Sequence, residues 1–152
     1  MKEKLPAMVS SELSTQNASA GTADVASVLR QSFIKCHRNL SKTQIDSEYS
    51  GTTCCTVLFL GNLLYTANSG DSRAILCSYS PSSAQKKEAG IVVKQVTRDH
   101  KPDLEDEAKR ILSKNGRIDS FRDVKNKPIG PARVWLSHED SPGLAMSRSI
   151  GD

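Results

Sequence analysis

The sequence predicts an α+β protein built around an antiparallel sheet. Three apolar runs, at residues 53–60, 63–68 and 73–77, are rich in β-branched side chains, leucine and phenylalanine and are bounded by turn residues. Runs of this length and composition are typical of buried strands. Gly61-Asn62 suits a two-residue hairpin, and Gly70 supplies a second reversal of the chain. We therefore expect a three-stranded antiparallel meander, with the rest of the chain covering or extending it.

Two segments have the residue pattern of helices that would cover this sheet. Apolar residues recur at helical spacing after Asp24, so we expect an amphipathic helix over residues 24–40 with Asp24 as its cap. A second helix is expected over residues 103–115, capped by Asp103, because acidic residues occupy its first turn and basic residues its last turn. The predicted buried face of this second helix consists of Leu104, Ala108, Ile111 and Leu112.

The remaining segments are predicted from composition. Residues 1–23 are polar, small and rich in Ser, Thr and Ala, which predicts a flexible leader or surface loop before a domain at residues 24–152. Residues 78–90 have the composition of an exposed loop, and a strand is expected over residues 91–97. Proline and glycine in residues 117–133 predict a short strand and an irregular excursion, and a further strand is expected over residues 133–136.

Composition and charge exclude several classes of function. The 152 residues are 37% apolar and 25% charged, which is the composition of one ordinary soluble domain. The net charge of +4 is spread along the chain without a basic block, so we expect no nucleic-acid partner. No run approaches the roughly 20 apolar residues needed to span a bilayer, and the N-terminus lacks a secretory core. We expect no membrane association and a cytoplasmic or nuclear location.

Cysteine and histidine form no pattern typical of catalysis or of a metal site. The cysteines make no CxxC pair and do not stand at ligand spacing from a histidine, so we expect buried reduced thiols. We expect His100 to be a loop or capping residue, His37 to lie on the polar side of the first helix, and His138 to lie in a polar turn. The four cysteines are Cys36, Cys54, Cys55 and Cys77.

Six segments, in order, resemble the central part of a type 2C protein phosphatase: SGTT, LLYTANSGDSRAIL, TRDHKPDLEDEAKRI, NGRI, ARVWL and PGLAMSRSIGD. The resemblance covers about residues 25–152 and implies a fragment of an α/β/β/α sandwich, in which two antiparallel sheets are flanked by helices. It also implies Mg²⁺ or Mn²⁺, two or more in the complete domain, and phosphoserine or phosphothreonine proteins as partners. Two hard cations would clamp the phosphate and acidify the attacking water.

The sequence departs from the family pattern at both ends. The Asp-Gly-His-Gly-Gly motif is absent upstream, and the Asp-Gly and Asp-Asn motifs are absent downstream, so we expect a fragment, a partial gene model or a degenerate copy. The chain alone is expected to be an inactive part of a phosphatase. The alternative is a noncatalytic phosphatase-like module that binds a partner or regulates a true phosphatase. An uncovered sheet face would also favour self-association.

The resemblance assigns few site residues, and it assigns no catalytic or substrate-binding residue. Asp152 matches the aspartate that closes the Ser-Arg-x-x-Gly-Asp motif and approaches an additional metal; its alternative is a turn carboxylate. Ser147, Arg148 and Gly151 belong to the same motif, and we expect them to pack and hydrogen-bond in the segment that presents Asp152. Residues 117–132 correspond to a flap beside the cleft, for which an exposed loop is the preferred interpretation. A structural turn with ion pairs is expected of Gly70, Asp71, Ser72 and Arg73.

Overall fold

The computed structural model describes residues 3–18, 24–47, 50–80 and 90–152. These residues form three helices, α1 (Lys4–Ala18), α2 (Val25–Leu40) and α3 (Glu105–Ser113). The strands are β1 (Gly51–Thr52), β2 (Cys54–Leu60), β3 (Leu63–Ser69), β4 (Ile75–Ser80), β5 (Gly90–Gln95), β6 (Gly116–Arg122), β7 (Pro128–Leu136), β8 (Pro142–Leu144) and β9 (Ile150–Gly151). All strand pairs are antiparallel, and the predicted α+β class is confirmed.

Helix α2 forms where the sequence predicts it and anchors the main core. The Asp24 carboxylate accepts a hydrogen bond from the backbone N–H of Ser27 at 3.1 Å, which satisfies one of the free donors of the first turn. The helix buries one stripe of side chains against α1 and the β2–β3 hairpin. That stripe consists of Val25, Val28, Leu29, Ser32 and Cys36.

The predicted flexible leader is wrong for residues 4–18, which form α1. Leu5 and Val9 lie four residues apart, so they share one face of the helix, and both are buried in the core with α2. The Glu12 carboxylate also pairs with the Lys35 ammonium group at 2.9 Å. Packing against α2 stabilises a segment whose composition alone does not favour a helix. Residues 19–23 of the predicted leader lie outside the described residues.

The first hairpin of the predicted meander is confirmed, and the third apolar run also forms a strand, β4, but the predicted pairing of this strand with β3 is wrong. Strands β2 and β3 pair from Cys54 opposite Ser69 to Leu60 opposite Leu63. Strand β4 pairs with β5 instead of β3. The turn after Gly70 leads the chain away from β3, because Ala74 hydrogen-bonds with the segment after β5: its carbonyl accepts from Val96 N–H and its N–H donates to Thr97 Oγ1.

The segment expected to be irregular is a regular hairpin. Strands β6 and β7 pair from Gly116 opposite Leu136 to Arg122 opposite Pro128, with a bulge between Asp119 and Phe121, and β8 adds a third strand. The Asp123 carboxylate accepts the backbone N–H groups of Lys125 and Lys127, each at 2.8 Å, which stabilises the connecting turn. This local cap accounts for the order of a segment that contains two prolines.

Several predictions for individual side chains are also corrected by the structure. Helix α3 begins after Leu104, which has an extended backbone and makes no side-chain cap, so Asp103 is not the cap. The helix buries Glu107 and Ile111, whereas Leu112 is exposed. The four cysteines, all of them within the described residues, form no disulfide; Cys36 is buried but Cys77 is exposed.

Large apolar side chains remain exposed on the sheets. Tyr79 and Ile91 are cross-strand partners in the β4–β5 hairpin and are 72% and 73% exposed. Phe59 on β2 is exposed to a similar extent. Together these side chains leave apolar sheet surface in water. None of the three described helices combines the length and hydropathy needed to cross a bilayer.

Candidate functional site

The last six residues line a cleft between α2, β3 and the loop that precedes α3. The cleft has a volume of about 950 Å³. Its walls include His37 from α2, Asn68 from β3 and His100 from the loop. Residues 147–152, the segment that carries the predicted Ser-Arg-x-x-Gly-Asp motif, form one side. The structure therefore places the motif beside this cleft.

A buried glutamate on α3 holds the Ser-Arg part of this motif. The side chain of Glu107 is 1% exposed, yet its carboxylate accepts hydrogen bonds from three residues. Ser147 Oγ donates at 2.6 Å, Arg110 Nη2 at 2.7 Å, and Arg148 through Nη2 at 2.5 Å and Nε at 3.0 Å. A carboxylate can accept this many donors, and the Arg148 guanidinium provides the two-pronged geometry that fits it.

These hydrogen bonds keep Glu107 ionised despite its burial. Burial by itself raises the pKa of a carboxyl group, because the charged form loses its hydration. Here the hydrogen bonds from Arg148, Arg110 and Ser147 outweigh that effect and hold the pKa of Glu107 well below its usual range. The same contact with Glu107 raises the pKa of Arg148. At neutral pH the Glu107 carboxylate is therefore ionised and is shared by two guanidinium groups.

A second set of hydrogen bonds connects the motif to the turn at Gly70. The Ser147 N–H donates to the His100 carbonyl at 3.1 Å, and the Arg110 guanidinium donates to the Ser147 carbonyl at 2.7 Å. His100 exchanges two bonds with Gly70, because its N–H donates to the Gly70 carbonyl and its Nδ1 accepts the Gly70 N–H. Burial lowers the pKa of His100, assisted by the nearby Arg148, which keeps Nδ1 available as an acceptor.

The side chains of the Gly70–Arg73 turn are engaged within the fold. Arg73 donates to the Asp99 carboxylate at 2.9 and 2.6 Å, and Asp71 pairs with Lys101. The hydrogen bond from Arg73 lowers the pKa of Asp99. The hydroxyl of Ser72 lies 2.7 Å from that of Thr53. These contacts join the turn to the loop before α3.

Asp152 does not take part in the hydrogen bonds to Glu107 that hold Ser147 and Arg148. Its side chain is exposed, and its backbone N–H donates to the carbonyls of Ser47 at 3.0 Å and Ser50 at 3.3 Å. Strand β9 pairs with β1, where Gly51 lies opposite Gly151, and a Cβ at residue 51 would collide with the Asp152 carboxylate. The Gly151 N–H also donates to His37 Nδ1 at 3.3 Å. Within the described residues, no donor binds the carboxylate of Asp152.

The described residues do not fit a complete metal site. Across residues 3–18, 24–47, 50–80 and 90–152, no group of three or more histidine, cysteine, aspartate or glutamate side chains could hold a metal ion. Mg²⁺ is normally held by more than one carboxylate or phosphate together with water. The role of Asp152 as a metal ligand therefore stays a prediction, since the structure brings no second ligand to it.

Sequence reasoning missed Glu107, the residue around which the site is built. It was counted only as one of three acidic residues in the first turn of the helix. Its position four residues before Ile111 was the available signal, because residues at that spacing share a helix face. An acidic residue on the buried face requires a cationic partner, and the Arg148 of the motif is that partner.

The fold and the site define a class of protein: an antiparallel α+β domain with helices, in which a Ser-Arg-x-x-Gly-Asp segment is hydrogen-bonded to a buried carboxylate. The family model described as protein phosphatase 2C matches residues 1–152 of the chain. The chain therefore belongs to the protein phosphatase 2C family. The match confirms the resemblance and extends it to the residues before 25.

Curated plant proteins show the same relationship. The chain is 40% identical over 132 residues to "Probable protein phosphatase 2C 64" from Oryza sativa subsp. japonica, an alignment that covers 84% of the chain and 29% of the relative. It is 45% identical over 109 residues to "Probable protein phosphatase 2C 34" from Arabidopsis thaliana, covering 72% of the chain and 28% of the relative. The chain thus spans less than a third of the length of these relatives.

Proposed function

We propose that the chain supplies the central part of a metal-dependent protein serine/threonine phosphatase domain and is inactive by itself. The observation that supports this function is the family match together with the Ser-Arg-x-x-Gly-Asp segment, which is held in place beside the cleft. In this proposal the segment presents Asp152 to Mg²⁺ or Mn²⁺. Phosphoserine and phosphothreonine proteins are the proposed substrates of the complete domain.

The proposed inactivity of the isolated chain follows from the ligand chemistry of hard cations. One exposed carboxylate does not fix Mg²⁺, which gives up its hydration water reluctantly. Without a bound metal, nothing in the cleft acidifies a water molecule or neutralises the transferring phosphoryl group. Nδ1 of His37 and of His100 each accept a backbone N–H, which leaves only Nε2 of each ring for proton transfer, and neither imidazole replaces the double charge of a bound metal ion.

A chimera tests whether the segment functions when a relative supplies the rest of the domain. Residues 25–152 would replace the corresponding part of the Arabidopsis relative. Turnover of a phosphothreonine peptide would then be measured with Mn²⁺ for the chimera and for the isolated chain. We expect turnover from the chimera and none above the blank from the isolated chain. Asp152→Ala in the chimera should reduce the Mn²⁺-dependent rate at least tenfold, or about 1.4 kcal/mol in the barrier. Asp103→Ala is the control, because it removes another exposed carboxylate.

The second candidate function is a noncatalytic binding or regulatory module. The exposed apolar sheet surface around Tyr79 and Ile91 favours it, since such a surface normally lies against another polypeptide. A folded chimera without turnover, whose parent relative is active under the same conditions, would support the module and refute the phosphatase. Metal-dependent turnover by the isolated chain, lost in Asp152→Ala, would refute the proposed inactivity.

A further inference from the structure

The hairpin formed by β6 and β7 contains most of the excess positive charge of the chain. Residues 116–136 include five basic residues and two acidic ones, an excess of three, whereas the whole chain has an excess of four. The basic residues are Arg117, Arg122, Lys125, Lys127 and Arg133, and the acidic residues are Asp119 and Asp123. The rest of the chain is therefore close to neutral.

Both acidic side chains of the hairpin already have partners within it. The Asp119 carboxylate pairs with Arg122 at 2.9 Å and lies 4.0 Å from Arg117. The Asp123 carboxylate binds the backbone N–H groups of the turn. Among the described residues, no carboxylate pairs with the ammonium groups of Lys125 and Lys127. Two cations at the tip of the hairpin are thus left to the solvent.

Arg133 adds a third cation without a carboxylate partner. Its guanidinium lies 4.6 Å from the centre of the Phe121 ring and donates to the Gly143 carbonyl at 2.6 Å. Its Nε is buried and has no hydrogen-bond partner within the described residues. The Phe121 ring and the Gly143 carbonyl fix the position of this guanidinium but leave its charge without a carboxylate partner.

Apolar side chains accompany these charges. Phe121 and Ile129 are cross-strand partners, so they share one face of the hairpin, and each is 52% exposed. The Phe121 ring is held edge-on against Trp135 with a centroid distance of 5.4 Å. Val124 in the turn is fully exposed. A rigid aromatic and two aliphatic side chains therefore offer apolar contact area beside the cations.

We propose that this hairpin is a docking surface for an acidic peptide segment that contains an apolar residue. Carboxylates of the segment pair with Lys125 and Lys127, and its apolar side chain packs on Phe121 and Ile129. Charge complementarity selects this partner, because the hairpin has three cations without a carboxylate partner and only one carboxylate, Asp123, without a cationic partner. A nucleic acid fits less well, since Phe121 is the only exposed ring here on which a base could stack. The surface needs no catalysis, so its test is independent of phosphatase activity.

The test measures peptide binding by the full chain. A fluorescent peptide of Glu and Asp around a central Leu would be titrated by anisotropy, beside a neutral peptide with Gln and Asn in place of the acids. Lys125→Glu/Lys127→Glu changes the hairpin excess from three positive charges to one negative charge, and we expect about tenfold weaker binding of the acidic peptide. Ile129→Thr keeps the β-branched shape but loses apolar area, and about threefold weaker binding is expected with an unchanged salt dependence.

A matched control separates this site from general electrostatic attraction. Arg38→Glu/Lys42→Glu makes the same change in net charge at the end of α2, outside the hairpin, and should leave the affinity within about twofold. An equal loss in this control would overturn the proposal. So would equal binding of the neutral peptide, or tighter binding of single-stranded DNA. Circular dichroism verifies the folding of each variant. If the double glutamate variant unfolds, Lys125→Gln/Lys127→Gln replaces it, and this variant must weaken binding about threefold or the proposal fails.

Discussion

Replacing Glu107 with glutamine tests whether the buried carboxylate organises the site. Glutamine keeps the size of the side chain but removes the charge and turns one acceptor oxygen into a donor that faces Arg148 and Arg110. A hydrogen bond to a charged group contributes about 1.5–3 kcal/mol, and breaking a buried ion pair costs about 3–5 kcal/mol. The side chains of Arg148 and Arg110 are 47% and 41% exposed, so water replaces part of the hydrogen bonding that their guanidinium groups lose. We therefore expect a loss of about 2–3 kcal/mol in the free energy of unfolding.

The measurement uses urea unfolding followed through the single tryptophan of the chain. Trp135 is buried, and its indole N–H donates to the Asp119 carbonyl at 3.0 Å, so its fluorescence reports the β6–β7–β8 sheet. The expected loss lowers the melting temperature by about 4–12 °C. Glu105→Gln is the control, because it removes an exposed ion pair with Lys109 on the same helix and should cost at most about 0.5 kcal/mol. Equal effects of the two substitutions would refute the reasoning.

The pH dependence gives an independent test of the same carboxylate. The pKa of Glu107 is lower in the folded chain than the value of about 4.3 expected when unfolded. Its contribution to stability is therefore complete above the unfolded pKa and is lost as the pH falls through the folded pKa. The stability difference between the wild type and Glu107→Gln should stay constant from neutral pH to about pH 5 and shrink in more acidic solution. A difference that grows on acidification would contradict this.

Two further predictions concern a glycine and the exposed sheet surface. Gly143 has φ +68°, and a Cβ there would lie 2.6 Å from the Trp135 ring. Gly143→Ala should therefore destabilise the chain by about 1–3 kcal/mol and shift the tryptophan emission. Unchanged emission and stability would contradict this. The isolated chain should self-associate through the apolar surface at Tyr79 and Ile91. Ile91→Lys should therefore raise the monomer fraction in sedimentation velocity. A wild type that stays monomeric at micromolar concentration would refute the expectation.

The elements that the sequence predicted correctly are those whose determinants lie close together in the chain. Helix α2 has its cap at Asp24 and its apolar stripe in the sixteen residues that follow. The β2–β3 hairpin has its turn at Gly61, which adopts the positive φ of +59° that a tight turn of this kind requires. In both cases, local pattern and tertiary packing favour the same structure.

The errors arose where the deciding partner is distant in sequence. Strand β4 pairs with β5 because Ala74 bonds to residues 96 and 97, which the composition of β4 cannot reveal. Helix α1 depends on α2 for its packing, since Leu5 and Val9 are its buried apolar positions. At the site, the resemblance located Ser147, Arg148 and Asp152, but the carboxylate that holds the first two belongs to a helix forty residues earlier.

The contact between Glu107 and Arg148 also sets the order in which the molecule can assemble during synthesis. Helix α3 is complete at residue 113, but Arg148 is added thirty-five residues later, an interval of about 2–7 seconds at usual rates of translation. Throughout that interval the Glu107 carboxylate lacks Ser147 and Arg148, two of the three residues that donate hydrogen bonds to it, so we expect it to stay hydrated and α3 to gain less by docking. A nascent chain that ends before Ser147 should therefore show rapid amide hydrogen exchange in α3, and slow exchange should appear only once Arg148 has been added.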